Sequence, residues 1–303
     1  MTFKEVEDAR ITYQTKRRRA IIIAVLGFVV LVVALGLVFP FILLWAALVY
    51  FVIAMIIINT KIAKDYQTYK NNYKSYFVAN SLAKIFTNIN YDHKLGLNPN
   101  IVRQVMTTAD RYNSNDYMTA TYKNINFTQA DVHIEERHTT TDSNGHTRTY
   151  YVTIFQGRFL VFDFDRNFTT NLQVASRHFY GSRLLHSSNQ LKFQKIKTES
   201  NDFNKKFRVY AEDGVDALYI LDPAFMEKIQ KLYKDCKHEI LLTFINKHVY
   251  IAINDKKDSF EPPRSVRKPL DEKAELEKVQ KDILVITNFV DSLNLDRYFK
   301  GGK

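Results

Sequence analysis

The sequence predicts an α+β protein: an N-terminal transmembrane hairpin of two helices, then a soluble domain whose helices pack on a mainly antiparallel β-sheet. Three observations predict it. No Asp, Glu, Lys or Arg occurs from Ala20 to Thr60. From about Tyr117 onward apolar residues recur with a period of two, interrupted by turn residues. The stretch Asp271 to Leu293 returns to a helical period, with Leu276, Val279, Ile283 and Val290 on one face.

Charge narrows the classes of partner. The chain of 303 residues carries 43 Lys/Arg and 32 Asp/Glu, a formal net charge of +11. Residues 1–19 form a basic cytoplasmic segment, and the excess beyond Thr60 is dispersed among acids. No basic helix or Cys/His finger is present, so nucleic acid is not an expected partner. Cys236 is the only cysteine. It cannot close an intramolecular disulfide, so the fold does not call for an oxidising compartment.

The uncharged run Ala20 to Ile58 holds 39 residues. As one helix it would measure about 58 Å, twice the hydrocarbon thickness of about 30 Å. Two helices fit. Pro40, between Phe39 and Phe41, marks the turn, because proline lacks a donor and disfavours helix at the residue before it. A re-entrant hairpin is the alternative. Lys16, Arg17, Arg18 and Arg19 precede the run, Lys61 and Lys64 follow it, and the turn carries no charge. Positive residues stay on the cytoplasmic side, which places both termini there, in a two-pass cell-membrane protein. These six cations are the expected contacts with anionic headgroups.

Residues 59–108 read as a juxtamembrane helical region. Ile62, Tyr66, Tyr69, Tyr73 and Tyr76 lie four, three, four and three apart, a stripe that packs on its own domain. Pairing of two protomers through it is the alternative, and it leaves a homo-oligomer open. Pro99 suits the first position of a short helix. The cytoplasmic domain then occupies 109–303. Strands are expected over Tyr117–Phe127, Ala130–His138, Thr147–Phe155, Arg158–Phe164, Asn171–Ala175, Leu191–Lys197 and Lys206–Tyr210. Asn144-Gly145 supplies a hairpin turn. A helix from Pro223 to about Cys236 precedes strands Ile240–Ile245 and Val249–Ile253, and Pro262, Pro263 and Pro269 break the chain before the last helix.

Chemistry is harder to find. His133, Glu135, Glu136 and His138 suggest a metal set, but on a strand they alternate between faces and do not converge. Asp163 and Asp165 share a strand face, as paired carboxylates for a cation or a shared proton would. Glu212 and Asp213 lie in an acidic stretch without the spacing of a calcium loop, which reads as a turn. Cys236 and His238 have no third partner. No dinucleotide fingerprint, phosphate loop or nucleophile elbow occurs. No catalytic, cofactor-binding or metal-binding set is therefore assigned, and no cofactor is expected. Asp163, Asp165, Glu212 and Asp213 stand as site candidates.

Four blocks in order carry a resemblance: DRYNSNDY at Asp110–Tyr117, TIFQGRFLVFDFDRNF at Thr153–Phe168, KTESNDFNKKFRVYAEDGVDALYILDPAFMEKI at Lys197–Ile229, and FINKHVYIAINDKKDSFEP at Phe244–Pro262. With the hairpin before them, they resemble the bacterial membrane family catalogued as domain of unknown function 3137. The resemblance implies a two-helix anchor and an α+β domain, and it carries no reaction or site residues. Asp165 and Arg166 stand where that family has Asn and Lys, which weakens a catalytic use of the Asp163/Asp165 pair. The FxGxF pattern is explained by packing as well as by binding. The expected function is a membrane-anchored, cytoplasmic-facing interaction or scaffold module whose partners are the bilayer and another membrane protein. The alternatives are a membrane-associated enzyme acting on a lipid or envelope substrate, and a lipid sensor.

Overall fold

A computed structural model describes residues 1–38, 43–143, 145–164, 167–179, 193–263 and 265–293. It divides into two compact units, one of Met1–Ser81 with Phe260–Val279 and one of Leu82–Ser259 with the chain from Gln280 onward.

In the first unit, α1 (Phe3–Val38) and α2 (Leu43–Tyr73) each run unbroken through a basic or polar part and an apolar part. They lie antiparallel: Phe3 meets Phe77, Tyr13 meets Tyr66, Lys16 Nζ lies 2.6 Å from Asp65, and the Tyr50 hydroxyl donates to the Ala24 carbonyl at 2.8 Å. Pro40, the expected turn, lies outside the described residues. By length and hydropathy one helix among them qualifies to cross a membrane, the run from Trp45 to Ala83.

The tyrosine stripe does pack within its own unit. Tyr69 and Tyr73 are fully buried, and the Tyr73 hydroxyl donates to Glu275 at 2.6 Å. A π-turn over Lys74–Val78, leading into α3 (Ala79–Ala83), hands the buried position to Phe77 instead of Tyr76. Buried cations here are paired. Lys74 is 2.7 Å from Glu261, and Arg10 binds Glu7 at 2.6 Å and the Val266 carbonyl, which holds the Glu7 carboxyl below its usual range.

Among the described residues the second unit holds nine antiparallel strands in the order β1-β2-β3-β4-β9-β8-β5-β7-β6. They are β1 Thr87–Asp92, β2 Arg111–Tyr122, β3 Ile125–Thr141, β4 Thr147–Asp163, β5 Leu172–Ser176, β6 Gln194–Ile196, β7 Phe207–Ala211, β8 Glu239–Ile245 and β9 His248–Asn254. The helices between them are α4 (Pro99–Val102), α5 (Asn201–Lys206), α6 (Gly214–Ile220) and α7 (Pro223–Cys236), with α8 (Glu272–Leu293) last. The Asn98 and Asp222 side chains cap α4 and α7, and each helix begins on the proline that follows its cap.

Several expectations are corrected: the two strands expected over Thr147–Phe155 and Arg158–Phe164 are one, β4. The strand expected over Tyr117–Phe127 is two strands, because Lys123 and Asn124 both take positive φ (49° and 64°) and turn β2 into β3 without a glycine. β1, rich in Asn and short of apolar residues, was not foreseen. The acidic stretch expected as a turn instead opens α6, with Asp213 accepting from the Val215 and Asp216 amides.

The β3–β4 hairpin joins two strands of 17 residues, and Gly145 (φ +82°) closes its turn; Asn144 lies outside the described residues. One face of the hairpin contributes Ala130, Val132, Ile134, Phe155 and Phe159 to the core. Between those phenylalanines sits Gly157, at φ +154°, where a Cβ would lie 2.1 Å from the Ile253 carbonyl oxygen of β9. The FxGxF pattern is thus a packing device: two core rings flank a point where backbones touch. Gly157→Ala should destabilise the fold by about 1–3 kcal/mol through backbone conformation alone. In detergent-solubilised protein this appears as a melting temperature lower by about 5 °C. An unchanged melting temperature would show that the contact is not limiting.

Candidate functional site

The sequence candidates separate into places that do different things. The six cations cluster at one level of the first unit. Lys16, Arg17, Arg18 and Arg19 end the polar part of α1, Lys61 and Lys64 begin that of α2, and the antiparallel pairing brings the two groups side by side. All six are exposed. Beyond them the surface turns apolar: from Ile21 to Val33 and from Trp45 to Ile57, eighteen large hydrophobic side chains are exposed. Ala24, Val25, Phe28, Tyr50, Phe51 and Ala54 line an apolar groove between the helices.

Of the acidic candidates, Asp163 ends β4 and borders a cavity of about 700 Å³ on the sheet of the second unit. Thr121, Asn126, Thr128 and Val161 floor it, Leu97, Ile101 and Gln104 wall one side, and His248 and Tyr250 of β9 close another. Asp163 Oδ1 lies 3.1 Å from Lys247 Nζ and 3.6 Å from His248 Nε2. The Tyr250 hydroxyl donates to Gln104 Oε1 at 2.6 Å, and burial, then Asp163, raises its pKa. The lining mixes hydroxyls and amides with apolar side chains. It suits binding by hydrogen bonds and contact surface.

Asp165, the intended partner of Asp163, lies outside the described residues. Glu212 accepts from the Asn171 side chain at 2.9 Å, and Asp213 is occupied as a helix cap. Neither joins Asp163 in the cavity lining. His133 pairs with Thr153 at 3.0 Å and His138 with Glu136 at 3.3 Å, so these histidines serve the surface of the β3–β4 hairpin separately.

A second cavity, of about 320 Å³, is lined by Arg158, Cys236, His238, Asp255 and Asp282 among others. Burial pushes the Cys236 thiol up to about 11, against the backbone hydrogen bond at His238. Burial also raises the Asp255 carboxyl. A thiol so shifted is a poor nucleophile at neutral pH.

Sequence reasoning missed a third place. Asp116, Asp131 and Asp258 each offer a carboxylate oxygen, and these oxygens lie within 4.8 Å of one another. Asp131 is fully interior, and burial, then the Asp116 charge, raises its pKa well above the carboxylate range while Arg158 opposes. No spacing in the sequence signals this, since strand pairing and a chain reversal bring the three together.

Residues 153–295 match the family model described as Protein of unknown function (DUF3137). Among solved structures, the crystal structure of the mycobacterial trehalose monomycolate transport factor A, TtfA, is similar at 8% identity with a TM-score of 0.36, over 73% of this chain and 93% of that one. Comparison with curated proteins finds no match.

The thiol gives a pH-dependent test. At pH 8 Cys236 should react with iodoacetamide about a hundredfold more slowly than an ordinary thiol, from its smaller thiolate fraction alone. The rate should climb about tenfold per pH unit until near pH 11. Saturation near pH 9 would contradict the burial.

Proposed function

We propose that this chain, a member through residues 153–295 of the DUF3137 family, is a membrane-anchored interaction module. In this reading α1 and α2 cross the bilayer as a hairpin, both termini face the cytoplasm, and the α+β unit offers its sheet cavity to a partner group. The observation that carries the reading is the eighteen exposed apolar side chains on the two helices. An apolar surface that extensive on a soluble protein would be an association site or a liability. Hydrocarbon removes the difficulty, and the cation cluster at its edge suits the headgroup layer. Lys16, Arg17, Arg18, Arg19, Lys61 and Lys64 are the proposed surface contacts.

Binding, and not catalysis, fits the cavity. Among the described residues its one carboxylate, Asp163, is engaged by Lys247 and His248, while the other lining polar groups are chiefly hydroxyls and amides. Such a lining accepts an uncharged polar group carried on an apolar body, as a partner segment or an amphiphile would present.

Two measurements test the two halves. In a Cys236→Ser chain, cysteines placed singly at Thr2 and Thr68 should both react with a membrane-impermeant maleimide from the cytoplasmic side of sealed vesicles. Labelling from opposite sides would overturn the hairpin topology. A photo-crosslinking residue at Thr121, inside the cavity, should trap an adduct in native membranes that the same group at exposed Tyr219 does not. Identical adducts from both positions would overturn the cavity as the binding site.

A further inference from the structure

We infer that Asp116, Asp131 and Asp258 form a binding site for a hard divalent cation of the calcium or manganese class, which clamps the chain leaving β9 to strands β2 and β3. The site is built by an irregularity in β2. Pairing with β3 shifts register between Asn115 and Met118, so Asp116 and Tyr117 drop out of that ladder. Asp116 takes positive φ (55°), and the amides of Asp116 and Tyr117 donate to the His93 and Leu95 carbonyls at 3.4 and 3.2 Å. A bulge of this kind re-aims a side chain. Here it turns a fully buried carboxylate toward Asp131 of β3.

The local bonds hold the carboxylates in place. Asp116 Oδ1 accepts from the Tyr91 hydroxyl at 2.5 Å, and its Oδ2 from the Asn115 amide at 2.9 Å. The same Asn115 nitrogen reaches Asp258 Oδ1 at 3.0 Å. Asp131 Oδ2 accepts from the Ser259 backbone amide. The Arg158 guanidinium, at the register position opposite Asp131, donates to the Ser259 hydroxyl at 2.7 Å and to Asp282.

Two orphaned groups point to a ligand. Asp131 is 3% exposed, yet among the described residues no N–H or O–H group donates to its Oδ1, while the Asp258 carboxyl lies within hydrogen-bond reach of its own. Two residues away on the same strand face, Gln129 is fully buried with neither amide atom partnered among the described residues. Buried polar groups are nearly always satisfied, so orphans beside clustered carboxylates mark a place where something binds. All donors are oxygens, the set that hard cations take. With calcium–oxygen bonds of about 2.3–2.6 Å no two ligands of one ion lie more than about 4.6–5.2 Å apart, a limit these oxygens meet, all lying within 4.8 Å of one another. Exposed Asp258 gives the ion a route in.

The competing account is a proton shared between carboxylates. Full-length protein in detergent, stripped with chelator, distinguishes the two. Terbium, a calcium substitute, should luminesce on excitation of tyrosine, since the Tyr91 hydroxyl is bonded to a ligand carboxylate. Asp258→Asn should weaken terbium affinity at least tenfold, and Tyr91→Phe should dim the emission. Because Asp258 is exposed, that variant leaves the interior intact. Calcium at 1 mM should raise the melting temperature of the native chain by several degrees and that of Asp258→Asn by little. Equal shifts in the two chains, or no shift with calcium, magnesium or manganese, would overturn the site and leave the shared proton.

Discussion

Water is the wrong solvent for the apolar parts of α1 and α2, and much of the architecture follows from that. Helices α1 and α2 touch along one side through Ala24, Gly27, Phe28 and Tyr50, and expose large apolar side chains elsewhere. Eighteen such side chains, about half exposed, would cost on the order of 20 kcal/mol in water. Whole domains are stable by about 5–15 kcal/mol. An apolar surface with a hydration cost on that scale associates in water, which supports the proposed need for a hydrocarbon surround. That need also explains the abrupt change at Arg19 and Lys61, where the uncharged run begins and ends.

Charge inside the protein is handled differently. The interior cations Arg10, Lys74 and Arg158 each have carboxylate partners at 2.6–3.1 Å, and Arg10 and Arg158 add backbone carbonyls. Such pairs fix geometry more than they add stability, because the cost of desolvation offsets much of the attraction. Asp131 stands apart from this pattern. Its neighbouring charges include two further carboxylates, and among the described residues no donor reaches one of its own oxygens.

Legibility in the sequence tracked the range of the interactions. The uncharged run, the capped helix starting at Asp222-Pro223 and the strands around Asn246-Lys247 announce themselves through neighbours a few residues apart. The Lys123-Asn124 turn did not, because positive φ at two non-glycine residues carries no strong compositional mark. β1 was missed because its Asn-rich residues are only partly covered and show no apolar alternation. The three-carboxylate cluster was out of reach altogether. It joins positions 116, 131 and 258 through a bulge, a hairpin and the turn after β9, and only strand register brings them together. Asp163, read from the sequence as one of a pair with Asp165, lines a cavity.

Trp45 offers the most direct test of the anchor. It is the only tryptophan in the chain, it is 71% exposed on α2, and it lies five residues beyond Pro40. In a spanning hairpin it sits about 7 Å inside the far surface of the bilayer. Reconstituted protein should therefore show fluorescence quenched by brominated lipids, more strongly when bromine is near the headgroup than when it is at the chain end. Stronger quenching from the chain end would indicate a re-entrant hairpin that stops at mid-bilayer. Fluorescence indifferent to bromine at every depth would contradict the membrane anchor itself.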